Sequence, residues 1–486
     1  MAHAGLFKKK DVDMTVGSIP KLIFGFFLPM VLGLFLQQLY HAVDMIIVGQ
    51  FCTYQEMSAV GGVGSITNTF VLFCSGISIG AGVVISQYYG KHDGENLKKS
   101  VSSSIVISLF LSALMTVLGM ALSRPLLLMM KSNADVIEHA TLYLLIYFGG
   151  VSSIILYNML SSILQAVGDS TRPLIYLAIS SAVNIVLDLV FVAVFRWGVV
   201  GAAIATIIAQ FVSAGCAFFY LAKSDKDYRI DLKNLKLDKK IGKTIILIGL
   251  PTGIQSSITG ISNTFVHSYI NVFGTSYEGG YAVYIKLDHL VTVFATSFGY
   301  ALTSFVGQNV GANNVNRACK GTTFTVIMSS IIIFLVSLPM VIFSEAVTSL
   351  FTHDASVTQS AAYIITMLTP FHVISSIHTC YMSALRGYKK TRTSMFIVLG
   401  SFVAFRQIYL FIVSRIFAKN LIAVLLAFPL GWALSAILHA ICWFNCPVPK
   451  AKRILKKHPE ASHLTPEELV SWKKQGYPPL ATQQVA

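Results

Sequence analysis

Residues 173–222 read PLIYLAISSAVNIVLDLVFVAVFRWGVVGAAIATIIAQFVSAGCAFFYLA. Two apolar runs, 173–195 and 199–222, are parted only by a short turn at Arg196 and Trp197. At about 1.5 Å per residue each is long enough to cross a hydrocarbon core roughly 30 Å thick. Only helices and closed barrels satisfy their backbone in lipid. Neither run alternates as a barrel strand does, so the stretch reads as a helical hairpin within a membrane.

Outward from this hairpin the pattern recurs. Further spans are read near residues 20–43, 58–86, 100–122, 139–166, 244–273, 280–306, 322–343, 360–384, 394–417 and 421–444. The expectation is an all-α, polytopic membrane protein with twelve transmembrane helices. Composition agrees: of 486 residues, 55% are hydrophobic and 12% charged, against about 25% charged in soluble chains.

The net charge of +15 invites a nucleic-acid reading, which the placement of the charges opposes. With the N-terminus inside, cytoplasmic segments hold 29 of the 36 Lys and Arg residues, led by Lys8-Lys9-Lys10, the 223–243 linker and the tail from Lys450. The outer loops hold Arg124, Lys131, Arg196, Arg415 and Lys419, and Lys286 and Arg406 lie within spans. This is the positive-inside asymmetry. It puts both termini in the cytoplasm and the basic excess against anionic lipid, and leaves nucleic acid without a role. The first apolar run lacks a small-residue cleavage site and continues as a span, so a cleaved leader is not expected. Seven scattered cysteines suggest free packed thiols rather than disulfides or a zinc site.

The chain repeats weakly. Gln87-Tyr-Tyr-Gly90 returns as Gln308-Asn-Val-Gly311, Lys99 as Lys320, Pro29 as Pro251, and Thr171-Arg172 as Thr391-Arg392. Four anchors in order point to a duplicated six-helix unit. An even number of spans per unit relates the copies by an axis along the membrane normal. The expected division is 1–222, a cytoplasmic linker 223–243 with room for a surface helix, 244–449, and a cytoplasmic tail 450–486. In the tail, Thr465-Pro466-Glu467-Glu468 carries a capping-box signature, which predicts a short helix over 466–474. Gly76-Ile-Ser-Ile-Gly80-Ala-Gly82 lies inside an apolar span and lacks a phosphate loop's ending, so it reads as a close helix contact.

Ionisable residues inside spans are costly and usually functional. The candidates are Asp44, Asp188, Lys286, Asp288 and Arg406. His267, His372, His378 and His439 are cheaper when neutral and suit hydrogen bonds to backbone or hydroxyl groups. Asn184 precedes Asp188 by one helical turn, so both project from one face. Ala202 and Thr206 repeat that spacing in the next helix, and Asn158 is an isolated amide in an apolar run. Asp44, Asn158, Asn184, Asp188 and Thr206 together offer oxygens for a hard monovalent cation, a carboxyl pair for a proton, or a polar network that ties helices together. Lys286 and Asp288, two apart, fall on different faces and are not expected to pair. Lys286 and Arg406 are candidates for a second-half cavity.

Several stretches resemble MATE (multidrug and toxic compound extrusion) transporters. They are Pro29-Met30 through Gln37-Gln38-Leu39-Tyr40 to Val43-Asp44-Met45-Ile46-Ile47-Val48-Gly49, then Ser86-Gln87-Tyr88-Tyr89-Gly90 and Gln165-Ala166-Val167-Gly168-Asp169-Ser170-Thr171-Arg172-Pro173. Asn184-Ile-Val-Leu-Asp188 and Trp197-Gly198-Val-Val-Gly201-Ala202-Ala203-Ile204-Ala205-Thr206 complete the set. The resemblance spans about residues 15–445, and the stretch Tyr281–Leu287 is similar to a bacterial multidrug-efflux branch. It implies two six-helix lobes about a central cleft, with alternating access driven by Na+ or H+. The cation site of the DinF-like branch is similar to Asp44, Asn184, Asp188 and Thr206, with the Ala202 carbonyl and Asn158 nearby. The chain departs from its relatives at Phe294-Ala295-Thr296-Ser297, where they carry a proline and bulky apolar residues. It departs again at Arg386-Gly387-Tyr388-Lys389-Lys390, which lacks the acid of Gly168-Asp169.

The expected function is cation-coupled export of small organic, cationic or amphiphilic compounds from a bacterial inner membrane. The protein would act as a monomer without a cofactor beyond the coupling ion. Lys286, Asp288 and Arg406 are the candidate cargo contacts. The alternative is a flippase or exporter of a lipid-linked saccharide or peptide. No nucleophile–base pair or metal cluster suggests an enzyme.

Overall fold

A computed structural model describes residues 12–130, 134–417 and 420–477. Lys8–Lys10, Lys131 and Lys419 of the charge argument lie outside the described residues. Helices follow one another as α1 (Ile19–Phe51), α2 (Tyr54–Gly90), α3 (Gly94–Met129), α4 (Ala134–Gly149), α5 (Val151–Ala166), α6 (Thr171–Asp188), α7 (Gly198–Lys223), α8 (Lys239–Asn271) and α9 (Thr275–Gly311). They continue as α10 (Val315–Ile342), α11 (Ser344–Ser349), α12 (Ala355–Leu368), α13 (His372–Gly387), α14 (Thr391–Val398), α15 (Arg406–Ile416), α16 (Leu421–Leu425), α17 (Ala427–Phe444), α18 (Pro447–Leu455) and α19 (Pro466–Lys474). No strand occurs among the described residues. Among the described residues, eleven helices or helix runs are long and apolar enough to cross a membrane, and the bent pair α4–α5 makes a twelfth. Each expected span is found. The one read as continuous over 139–166 bends by 47° at Gly150, whose missing side chain leaves room for Ile207 of α7.

The described residues form two compact units. The first holds Val12, Phe24–Ile85 and Asp93–Thr264; the second holds Asp13–Ile23, Ser86–His92 and the chain from Phe265 onward. In the first, α2 and α8 cross on glycine. A Cβ on Gly80 would stand 2.5 Å from the Cα of Gly249, and one on Gly76 would strike the backbone of Gly253. Two small-x-x-x-small rows thus let the backbones touch. On α3, buried Ser100, Ser104, Ser112 and Ser123 each donate to the carbonyl four residues back at 2.6–2.7 Å. These hydroxyls are therefore satisfied without leaving their own helix. Large side chains on its other faces, among them Phe110 and Val117, are exposed, as lipid contact requires.

The linker does not form the surface helix for which it has room. Between the end of α7 and the start of α8 at Lys239 it contains a single 3-10 turn, Leu232–Asn234. Competing bonds hold the rest open: Ser102 exchanges hydrogen bonds with the Lys236 backbone, and Ser103 accepts from the Asp238 amide at 3.0 Å.

In the second unit the repeated Gln-x-x-Gly motifs meet each other. A side chain on Gly90 would strike the Gln308 carbonyl, and one on Gly311 the Gln87 carbonyl. Beside them the N-terminal strap is pinned. The Met14 amide donates to Gln308 Oε1 at 2.8 Å, Asn309 Nδ2 to the Met14 carbonyl at 3.1 Å, and Arg317 Nη2 to the Val16 carbonyl at 2.9 Å. The tail belongs to this unit's core as well, where Leu469 and Trp472 pack with Trp443, Val448 and Tyr388. The helix expected over 466–474 is α19, with both halves of its capping box formed. All seven cysteines are free.

Candidate functional site

Asp188 is the last α-helical residue of α6, and the chain continues as a π-helical segment, Leu189–Val194. Its widened turn is closed by the Phe195 amide, which donates to the Val190 carbonyl at 2.8 Å. Phe191 stacks on Trp197 at 5.0 Å between ring centroids, and Phe195 meets it at a tilt at 5.4 Å. π segments inside α-helices recur at functional sites, and this one directly follows the buried acid.

Asp188 is fully buried, and Asn184, one turn earlier, is 1% exposed. The carboxyl groups of Asp188 and of Asp44 on α1 act directly on each other. Both oxygens of Asp188, Oδ1 of Asp44 and both polar atoms of the Asn184 amide are buried without a hydrogen-bond partner. Leaving a buried polar group unsatisfied costs about 1–3 kcal/mol, and more when it is charged. Asn158 gives its Nδ2 to the Ile154 carbonyl at 2.9 Å, which keeps its oxygen as the available end. Thr206 is half-buried and Ala202 buried on α7, the helix packed most closely on α6.

Sequence reasoning missed part of this site. The Tyr40 hydroxyl approaches Gln210, and Tyr40 and Tyr143 both feel the two aspartates; Tyr147 stacks on Tyr143 at 6.2 Å. Tyr40 stands one turn before Asp44, and Gln210 one turn after Thr206. The same spacing argument that joined Asn184 to Asp188 reaches both.

Of the second-half candidates, Asp288 and Arg406 both act on Tyr281. Lys286, a candidate for the second-half cavity, is exposed. Asp288 turns inward, with Oδ1 3.3 Å from His372 Nε2 and accepting from the Tyr284 hydroxyl at 3.4 Å. Lys286 and Asp288 form no ion pair, as their spacing predicts. Arg406 is 3% exposed at the start of α15, directly after a second π segment, Leu399–Phe405. Its guanidinium lies over Phe428 at 5.6 Å and Phe402 at 5.9 Å. His378 and His439 are hydrogen-bonded to hydroxyl and backbone groups, as expected. Ser435 Oγ is 2.9 Å from His378 Nδ1, and His439 Nδ1 lies 2.8 Å from the Ser435 carbonyl. His267 packs edge-on against Tyr281 at 4.6 Å. Among the described residues no group of three or more His, Cys, Asp or Glu side chains is placed to hold a metal ion.

Comparison with known proteins gives one answer. The family model MatE matches residues 29–190 and again 251–412, so the two matches begin at the repeated prolines Pro29 and Pro251. The chain is 29% identical over 309 residues, 63% of its length and 69% of the relative's, to the probable multidrug resistance protein YpnP of Bacillus subtilis. It is 25% identical over 85% of its length, and 91% of the relative's, to the probable multidrug resistance protein YoeA of the same organism. Among solved structures, an outward-facing multidrug resistance MATE family transporter of the MOP superfamily matches with a TM-score of 0.85. That match has 22% identity and covers 90% of this chain and 97% of the other. A Pyrococcus furiosus MOP superfamily transporter described as having a binding pocket of reverse polarity matches with a TM-score of 0.84 at 23% identity, over 90% of this chain and 97% of the other. Matched in both halves, the chain belongs to the MatE family, the multidrug and toxic compound extrusion transporters.

Proposed function

We propose that the protein is an antiporter that exports small organic, cationic or amphiphilic compounds in exchange for an external Na+ or H+. The observation that carries this reading is the set of unsatisfied buried atoms on Asp44, Asn184 and Asp188. Two adjacent carboxylates in a low-dielectric interior need a positive guest. A proton shared between them meets that need. So does Na+ held by the carboxylates with the oxygens of Asn184, Thr206 and Asn158 and the Ala202 carbonyl. Loading removes the repulsion between Asp44 and Asp188 and lets α1, α6 and α7 repack.

Coupling requires that ion and cargo prefer different states, since a ligand that binds both equally shifts nothing. Voltage supplies about 2.3 kcal/mol per charge per 100 mV. An exchange of one cation for one monovalent organic cation is therefore electroneutral and runs on the concentration gradient alone. The reading places a monomeric protein in a bacterial inner membrane with both termini cytoplasmic. Lys286, Asp288 and Arg406 are its candidate cargo contacts. Ethidium efflux from vesicles, under an imposed Na+ gradient and then an imposed pH gradient, tests it. Native protein should export under one of them, naming the ion, and Asp188→Asn should lose at least about tenfold in rate at equal membrane level. Export by Asp188→Asn at the native rate would remove the assignment.

A further inference from the structure

The linker between α7 and α8 crosses the side of its unit that faces lipid. On α3 the open and half-open residues form one stripe, from Lys99 and Ser102 through Val106 to Leu109 and Phe110, at the spacing of a single helix face. On α8 a second stripe runs from Lys239 and Lys243 to Ile246, Leu247 and Leu250. Both stripes change from basic to apolar within about two turns, as a helix does where it passes from headgroups into hydrocarbon. Ser102 exchanges hydrogen bonds with the Lys236 backbone, so the linker meets the α3 stripe at that change. Phe110 lies only about 12 Å further along the helix, and the headgroup layer is roughly 5–8 Å thick.

The linker is held by its backbone and by side chains turned inward. Tyr228 and Ile230 are 1% and 3% exposed, and the Ile230 amide donates to the Leu221 carbonyl at 3.1 Å. Ser103 accepts from the Asp238 amide. The side chains of Arg229, Lys233 and Lys236 take no part in this and stand exposed. Among them are Leu232 and Leu237, 58% and 48% exposed, which water does not favour. Leu237 rests on α8 at Gly242, where a Cβ would come within 2.8 Å of its Cδ1. A groove of about 1060 Å³ opens between this loop, the first turns of α3 and the end of α7.

Four aspartates also line the groove, and three are engaged. Asp227 lies 3.4 Å from Lys98. Asp231 accepts from the Lys233 amide at 3.0 Å and from Asn234 Nδ2 at 2.8 Å. Asp238 accepts from the Ile241 amide at 2.9 Å, at the start of α8. Asp225 is exposed. Lys99 pairs with Glu95, and Arg229 bears on Asp231 across exposed surface, where such attraction is weak. That leaves Arg229, Lys233 and Lys236 as the cations facing outward, with two leucines between them.

We propose that this groove binds an anionic phospholipid of the leaflet on the linker's side. The lipid phosphate lies among Arg229, Lys233 and Lys236, and its acyl chains pass Leu237 onto the apolar stripes of α3 and α8. The two leucines select a lipid over a soluble phosphate, which gains nothing from apolar neighbours. A diffuse attraction between basic residues and a charged leaflet depends on how many charges there are; this site depends on which. It rests on the membrane fold and not on the ion or the cargo, so the transport reading can fail without it.

The test titrates full-length protein in a neutral detergent with phosphatidylglycerol or with phosphatidylcholine, and counts bound lipid by native mass spectrometry. Native protein should bind phosphatidylglycerol saturably, with at least about fivefold higher affinity for the first lipid than phosphatidylcholine shows. Replacing Arg229, Lys233 and Lys236 together by Gln should reduce that preference to within about twofold. All three side chains are exposed, so the Tm in lipid-free detergent should not change. Replacing Lys456, Lys457 and Lys473 by Gln removes as many charges from the tail and should leave the preference intact. Leu232→Ser with Leu237→Ser should weaken both lipids by about tenfold. Glycerol phosphate should not displace the bound lipid. Equal affinity for the two lipids, an equal loss in the linker and tail variants, no effect of the leucine variant, or displacement by glycerol phosphate would each overturn the proposal.

Discussion

On the proposed reading, Asn184 would tell apart a proton and Na+ at Asp44 and Asp188. A shared proton would need only the two carboxyls, whereas Na+ would draw on the amide oxygen, which stands buried and unbonded. Asn184→Ala should therefore raise the half-saturating Na+ concentration by about tenfold, or about 1.4 kcal/mol. It should leave a pH-driven rate within about twofold. Titrating the coupling ion at fixed ethidium reads both; an unchanged Na+ dependence in a Na+-driven protein would exclude Asn184 from the site. At this scale the sequence was legible where a costly residue met a helical spacing, as with Asn184 and Asp188. It was illegible for Tyr143 and Tyr147, because a tyrosine in an apolar span looks the same whether its hydroxyl faces a carboxylate or a headgroup. Lys286 and Asp288 show the limit of the other kind: spacing separated their faces, but only packing says which face turns to His372.

Helices α2 and α8 approach as closely as they do because glycine lies on both sides, and this sets up a contrast within one helix. Gly80→Val forces apart backbones that a single Cβ would bring to 2.5 Å, an overpacking cost of about 1–3 kcal/mol or more. Gly61→Ala on the same helix meets nothing within 4 Å. Thermal unfolding in detergent should show a lowered Tm for the first and none for the second; equal shifts would mean that the crossing is not tight. At the other end of the chain, Thr465 and Glu468 hold the start of α19. Bonds from the Thr465 backbone and hydroxyl keep the Glu468 carboxyl below its ordinary range. A depressed carboxyl stabilises fully above its unfolded pKa, near 4.3, and that support is lost as pH falls through the lower folded value. Amide exchange over 466–474 should thus hold constant from pH 8 to pH 6 after correction for intrinsic rates, and lose protection below about pH 4. Thr465→Ala should cost this helix about 1 kcal/mol at neutral pH. The cap was legible because its four residues are local. The bend at Gly150 and the π segments were not, because an extra residue in a helical turn leaves the hydrophobic pattern almost unchanged.

Across the whole molecule, the charge asymmetry makes a claim about sidedness. In a background without the seven cysteines, Lys233→Cys should react with a membrane-impermeant maleimide only in inverted vesicles, and Arg196→Cys only in intact cells. The reverse pattern would turn the protein over. Span number and chain duplication were readable because both rest on pattern repeated over hundreds of residues. The place of the N-terminal strap was not, since no local signal ties Met14 to partners so distant in sequence. That distance has a temporal side. The Met14 amide and Gln308 are 294 residues apart, and ribosomes add about 5–20 residues per second. The strap is therefore made roughly 15–60 s before its acceptor exists. During that interval the start of α1 and the end of α2 lack these partners, so a segment translated early is among the last to reach its final bonds.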